Sequence, residues 1–249
     1  MVTFTNLTNN VDSVDRATYT TASVSPTASR LIMVDVVAYV GSGSAQPPQP
    51  TVTGNGITYA LVKAQDVDTS GSDRATMWTF RGMDASPSSG TISIAFGSTL
   101  AGACAWSVNQ SSSDVDTSGS NGSGAFVDAN TVGATAGSAG TTATVNYAQA
   151  IASGNTCYAA VGTQLSSAAT TPRTNWTELS DVAGSVAGLE TEYRESGASG
   201  ETAASATFSS SRWGIIAVEV KAASAGTNAA RRGRMTVLQS TPSPAIFTA

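Results

Sequence analysis

Between Arg30 and Val40, Ile32, Val34, Val36, Ala38 and Val40 form an unbroken apolar series, while Leu31, Met33, Asp35, Val37 and Tyr39 form a mixed one. A period of two over that length predicts a strand with one face in a core. The same alternation near the end of the chain turns Gly214, Ile216, Val218 and Val220 inward and puts Glu219 and Lys221 on the opposite side. Further runs rich in β-branched or aromatic residues and bounded by Gly, Ser, Pro or Asn include ITYALVKA, ATMWTFRGM, TISIAFG, ACAWSVNQ, TTATVNYA, TCYAAVGTQ, NWTELSDV and LETEYRE. About a dozen strands are expected, at the spacing of sandwiches and barrels. No segment carries a long apolar period of 3.6 residues, so helix content is expected to be very low.

The pattern predicts an all-β chain, an antiparallel two-sheet β-sandwich with jelly-roll-like connectivity over residues 1–223. Two stretches punctuate it. SGSAQPPQP (42–50) cannot be an inner strand, because proline lacks the ladder donor. SSSDVDTSGSNGSGAF (111–126) reads as a Ser/Gly/Asp loop.

Charge divides the chain. Residues 1–222 hold nine Lys and Arg and all 17 Asp and Glu, a net of −8, whereas residues 224–249 hold three Arg and no acid, for the whole-chain net of −5. Body and tail therefore have different electrostatic roles. An acidic body argues against direct nucleic-acid binding, which rests on neutralising phosphates. Only 12% of residues are charged, against about 25% in an average domain. A mostly small and neutral surface follows, of a kind that suits packing against copies or neighbours. The chain has no histidine, which removes Ser-His-Asp and Cys-His arrangements and the commonest metal ligand. Cys104 and Cys157 sit in apolar runs and read as buried core residues. MVTFTNLTNN lacks the basic start and apolar core of a secretory signal, and LIMVDVVAYV is too short to span a bilayer. The expectation is a soluble protein made in a cytoplasm, with no membrane partner and no cofactor.

DVDTSG occurs at 66–71 and again at 114–119. Asp66 and Asp68, like Asp114 and Asp116, stand at positions one and three of a calcium-loop pattern. Position twelve is Met77 or Ala125, where a bidentate Glu is needed, so the expected reading is a pair of Asp/Ser/Gly turns. Glu190 and Glu192 share one strand face, and Glu178 lies two residues from Trp176. Paired acids are what glycoside hydrolysis uses. The bland alternative is a solvated outer face, with Leu189 and Tyr193 pointing inward. Trp78, Trp106 and Trp213 lie in apolar runs and read as core anchors, which leaves Trp176, in RTNWTEL, as the tryptophan expected to face a ligand. In the tail, Arg231, Arg232 and Arg234 precede Val237, Leu238, Ile246 and Phe247 on proline-limited extended chain. Arginine forks suit an acidic partner, and the apolar residues supply anchors for a groove or sheet edge, so 224–249 reads as a docking arm.

The ordered series SVSPTASRLIMVDVVAYV, GNGITYALV, RATMWTFRGMDASPSSGTISIAF, ACAWSVNQSSSDVDTSG, NWTELSDV and SSSRWGIIAVEVKAA resembles a jelly-roll module of tailed-bacteriophage structural proteins, over roughly residues 16–223. The resemblance implies a non-enzymatic virion component made in the host cytoplasm. Either a capsid decoration (cement) protein or a tail, baseplate or fibre-associated part is implied. Its partner would be the major capsid or tail protein of the same particle, and it would itself be a homo-oligomer. A receptor- or carbohydrate-binding module is the alternative.

Overall fold

The computed structural model describes residues 1–41, 45–69, 73–98, 102–136, 138–164, 170–194 and 198–224. The first half contains β1 (Phe4–Asp12), β2 (Thr18–Thr20), β3 (Ile32–Val40), β4 (Thr51–Gly54), β5 (Ile57–Thr58), β6 (Ala60–Asp68), β7 (Arg74–Gly82), β8 (Ile92–Ala95) and β9 (Gly102–Ser111). The second contains β10 (Phe126–Thr135), β11 (Gly140–Asn146), β12 (Thr156–Thr163), β13 (Thr171–Pro172), β14 (Thr177–Ala183), β15 (Gly188–Arg194), β16 (Ala203–Ser211) and β17 (Trp213–Val220). A single 3-10 turn, Ser123–Ala125, is the helical content of the described residues.

The described residues form four antiparallel sheets, arranged as two sandwiches where a single two-sheet sandwich was expected over residues 1–223. In the first half a large sheet, β1-β9-β3-β7-β6, packs on a small one, β2-β8-β4-β5. In the second half the sheets are β10-β17-β12-β15-β14 and β11-β16-β13. Strand for strand the two orders coincide, with β1 answering to β10, β9 to β17, β3 to β12, β7 to β15 and β6 to β14. In the small sheets, β2 answers to β11, β8 to β16 and β4 to β13. All pairings are antiparallel.

The two large sheets face each other, giving four layers: small, large, large, small. One core lies inside the first sandwich (Val34, Val36, Trp78, Phe80, Ile94, Trp106) and another inside the second (Val145, Cys157, Val161, Trp176, Phe208, Ile215). Two further clusters fill the seam between the large sheets, one around Phe4, Met33, Tyr158 and Val218, the other around Val37, Met77, Leu189 and Ile216.

Layering dictates the sequence pattern of each strand. An outer strand has one wet face, and β11 and β16 alternate between buried and exposed positions. Inner strands are covered on both faces, so β12 is buried throughout and β3 at all but one position. This corrects the one-faced reading of Ile32–Val40 and Trp213–Val220. The mixed face of β3 packs on the other half of the molecule, and Glu219, expected outside, is 2% exposed.

Candidate functional site

Three groups of buried polar side chains stand out among the described residues. The first lies in the seam. Asp35, on central strand β3, is fully buried and accepts hydrogen bonds from Thr79 Oγ1 at 2.6 Å and from Tyr158 Oη of the other half. Asn109 Nδ2 donates to Tyr158 Oη at 2.8 Å and to Ser107 Oγ at 3.0 Å. Ser107, Ser180 and Thr191 close a hydroxyl triangle at 2.8–3.3 Å, and Asn6 Nδ2 donates to Ser107 and Asn109 from the edge strand, each at 3.0 Å. Burial pushes the Asp35 carboxyl up to about 7, partly offset by the Thr79 and Tyr158 hydrogen bonds. The network joins the sandwiches through paired groups rather than fat alone, and its one acid changes charge near neutral pH.

The second group is Glu190 and Glu192 on β15. Leu189, Thr191 and Tyr193 face the seam, so the two glutamates face the interior of the second sandwich. Both are fully buried, and neither carboxylate oxygen of Glu190 has a hydrogen-bond partner. Across the ladder Glu178 stands beside Glu192 and Asp181 beside Glu190. Burial, reinforced by the neighbouring Glu192 carboxylate, drives Glu190 well above the usual range. Burial also raises Glu192 to about 8, against the pull of the Arg173 backbone amide. The solvated outer face read from the alternation is therefore overturned, because the opposite face of β15 is occupied by the seam. Acids that cleave a glycosidic bond must meet substrate; these two meet the core, while Glu178 alone is exposed.

Glu219 forms the third group and contrasts with them. Asn130 Nδ2, the Ala152 amide at 2.9 Å and Asn155 Nδ2 at 2.6 Å all donate to its carboxylate. It is buried and satisfied, a structural clamp between β17 and the 147–155 connection.

Trp176 is 7% exposed and belongs to the second core, so the ligand-facing position expected for it is not observed. Polar flanking residues misled the reading, because they lie in the turn that folds the ring under. Trp78 and Trp106 are core anchors, as their apolar runs implied. Cys104 and Cys157 are free and buried in separate cores.

The two DVDTSG copies occupy unlike places, one at the end of β6 and one after β9. Asp68 pairs with Arg212 at 3.4 Å, and Asp66 accepts from Thr76 Oγ1 at 3.4 Å. Asp114 pairs with the N-terminal amine at 3.0 Å, and Asp116 accepts from the Ser118 amide at 2.8 Å, which lowers its carboxyl below the ordinary range. No three such carboxylates converge on a cation position among the described residues.

Arg231, Arg232, Arg234, Val237, Leu238, Ile246 and Phe247 lie outside the described residues. The point at which their segment leaves the body is well fixed. The Asp116 amide donates to Lys221 O, the Ala223 amide to Asp114 O and the Lys221 amide to Ala125 O. Val115 bridges Ala222, and the N-terminus sits on Asp114 in the same place. No family model, curated protein or solved structure matches this chain.

Proposed function

We propose that the chain is a non-enzymatic structural protein of a tailed-bacteriophage virion, a capsid decoration protein built as two jelly-roll sandwiches with a C-terminal docking arm. The strand order supports the jelly-roll reading. Counting β5 and β6 as one bent strand, the first half runs one-eight-three-six-five in its large sheet and two-seven-four-five in its small one, the interleaving of two Greek keys. Among the described residues the second half repeats it without the short strand that would complete the small sheet.

The observation that carries the functional reading is the departure point of the tail. Residues 221–223 are pinned by backbone hydrogen bonds to the 114–125 loop beside the N-terminus, so whatever the arm grips, it holds the body at that end. The resemblance in the sequence supplies the particle, and the acidic body with its basic tail supplies the polarity of attachment. The proposed mechanism is mechanical: area buried between copies and against the major capsid or tail protein raises the cost of rupturing the shell.

Removal of residues 224–249 tests this reading. The truncated protein is expected to keep its far-ultraviolet spectrum and melting temperature and to lose binding to purified particles; full occupancy would refute the arm's role. Imaging of particles with a label at the C-terminus separates capsid from tail.

A further inference from the structure

Where β6 meets β10, a groove of about 300 Å³ opens between the sandwiches, lined by Val62, Lys63 and Arg81 from one and Phe126, Asp128 and Thr131 from the other. Its cations are set against a wall. The Arg81 guanidinium carbon lies 5.6 Å from the Phe126 ring centroid, and Arg81 Nε is buried without a hydrogen-bond partner. Lys63 runs over Gly133, where an added Cβ would stand 2.8 Å from Lys63 Cε. Neither cation belongs to any of the ion pairs found among the described residues. In a body carrying net −8, two cations share this groove with one acid, Asp128, which leaves one positive charge in excess for an anion to complete. The groove also offers hydroxyl partners: exposed Asp128, which has no hydrogen bond or ion pair among the described residues, and Thr131, whose hydroxyl makes only a long 3.4 Å bond to Val127 O.

We propose that this groove binds an acidic sugar unit. Its carboxylate meets Arg81 and Lys63, its hydroxyls meet Asp128 and Thr131, and the apolar face of its ring rests on Val62. The volume lies at the small end of ligand sites, enough for one monosaccharide. Residues from both sandwiches line the groove, so the ligand is held only while the seam is closed. The proposal stands apart from the virion reading, since it needs neither the arm nor a particle.

The test is calorimetric titration of the full chain with N-acetylneuraminic acid and with glucuronic acid, alongside N-acetylglucosamine and inorganic phosphate. The expected result is saturable binding of at least one acidic sugar, none of the neutral one, and weakening of about tenfold or more in Arg81→Gln and in Lys63→Gln, as loss of a charge-assisted hydrogen bond implies. Lys63→Gln carries the test if Arg81→Gln loosens the seam, which its melting temperature reports. Absence of saturable binding by either acidic sugar, or unchanged binding in a folded variant, overturns the site. Phosphate binding as tightly as the sugars overturns the sugar assignment.

Discussion

The two sandwiches share one strand order and differ in what fills them. The first core is aromatic: Tyr19, Trp78, Phe96 and Trp106 contact one another with ring centroids 6.0–6.2 Å apart. The second is lined by Ala143, Ala159, Ala204, Ala206 and Ala217 and encloses Glu190, Glu192 and Glu219. Topology is therefore not what sets the chemistry of a core. One order of strands tolerates either large rings with close contacts or small residues that leave room for acids. The first half should supply most of the stability and the second most of its pH dependence.

The largest effect should come from emptying the aromatic core. Trp106→Ala is expected to cost about 3–5 kcal/mol, the range for a large buried aromatic, read as a fall in the denaturation midpoint. A smaller loss would mean that the first core is not the tighter of the two.

Next comes proton linkage. Asp35, Glu190 and Glu192 have folded-state pKa values raised above their unfolded ones, to about 7 for Asp35 and about 8 for Glu192. Between the unfolded and folded values the folded chain binds more protons, so its stability is fullest below about pH 4 as far as these groups are concerned and falls as pH rises towards 8. Melting temperature should thus drop from pH 5 to pH 8. Glu190→Gln/Glu192→Gln should flatten most of that slope and Asp35→Asn a smaller part of it. An unchanged slope in the double variant would show that the two glutamates are solvated.

Glu219 sharpens the contrast from the other side. It is buried but fully bonded, so Glu219→Ala should destabilise by about 1–3 kcal/mol through the orphaned Asn130, Asn155 and Ala152 donors. Glu190→Gln should be neutral or stabilising at pH 8. The smallest effect expected is from Asp116→Ala, which removes one bond to the Ser118 amide in an exposed turn and should cost under about 1 kcal/mol.

Much of the fold was legible. Period-two runs gave the strands, and the apolar settings of Trp78, Trp106, Cys104 and Cys157 gave core positions. The doubling was not legible, because the halves share strand order rather than residues; the one visible repeat, DVDTSG, falls at unlike places and misleads. A signal was nonetheless present in Ile32–Val40, whose second face is too apolar for water and implies cover on both sides. The orientation of Glu190 and Glu192 escaped for the same reason: alternation says that two residues share a face, and only the layering says which face is wet. Lys63 and Arg81 lie on adjacent strands with nothing in the sequence to bring Asp128 and Thr131 to them.

The two sandwiches share one strand order, and the buried acids whose pKa values are raised, Asp35, Glu190 and Glu192, lie in the seam and in the second sandwich. Amide hydrogen exchange at pH 6 and pH 8, corrected for the intrinsic rate, tests this most directly. The expected result is that amides of β11, β14, β15 and β16 lose protection at the higher pH while those of β2, β4 and β8 change little. Equal loss in both sets, or a greater loss in the first, would contradict it.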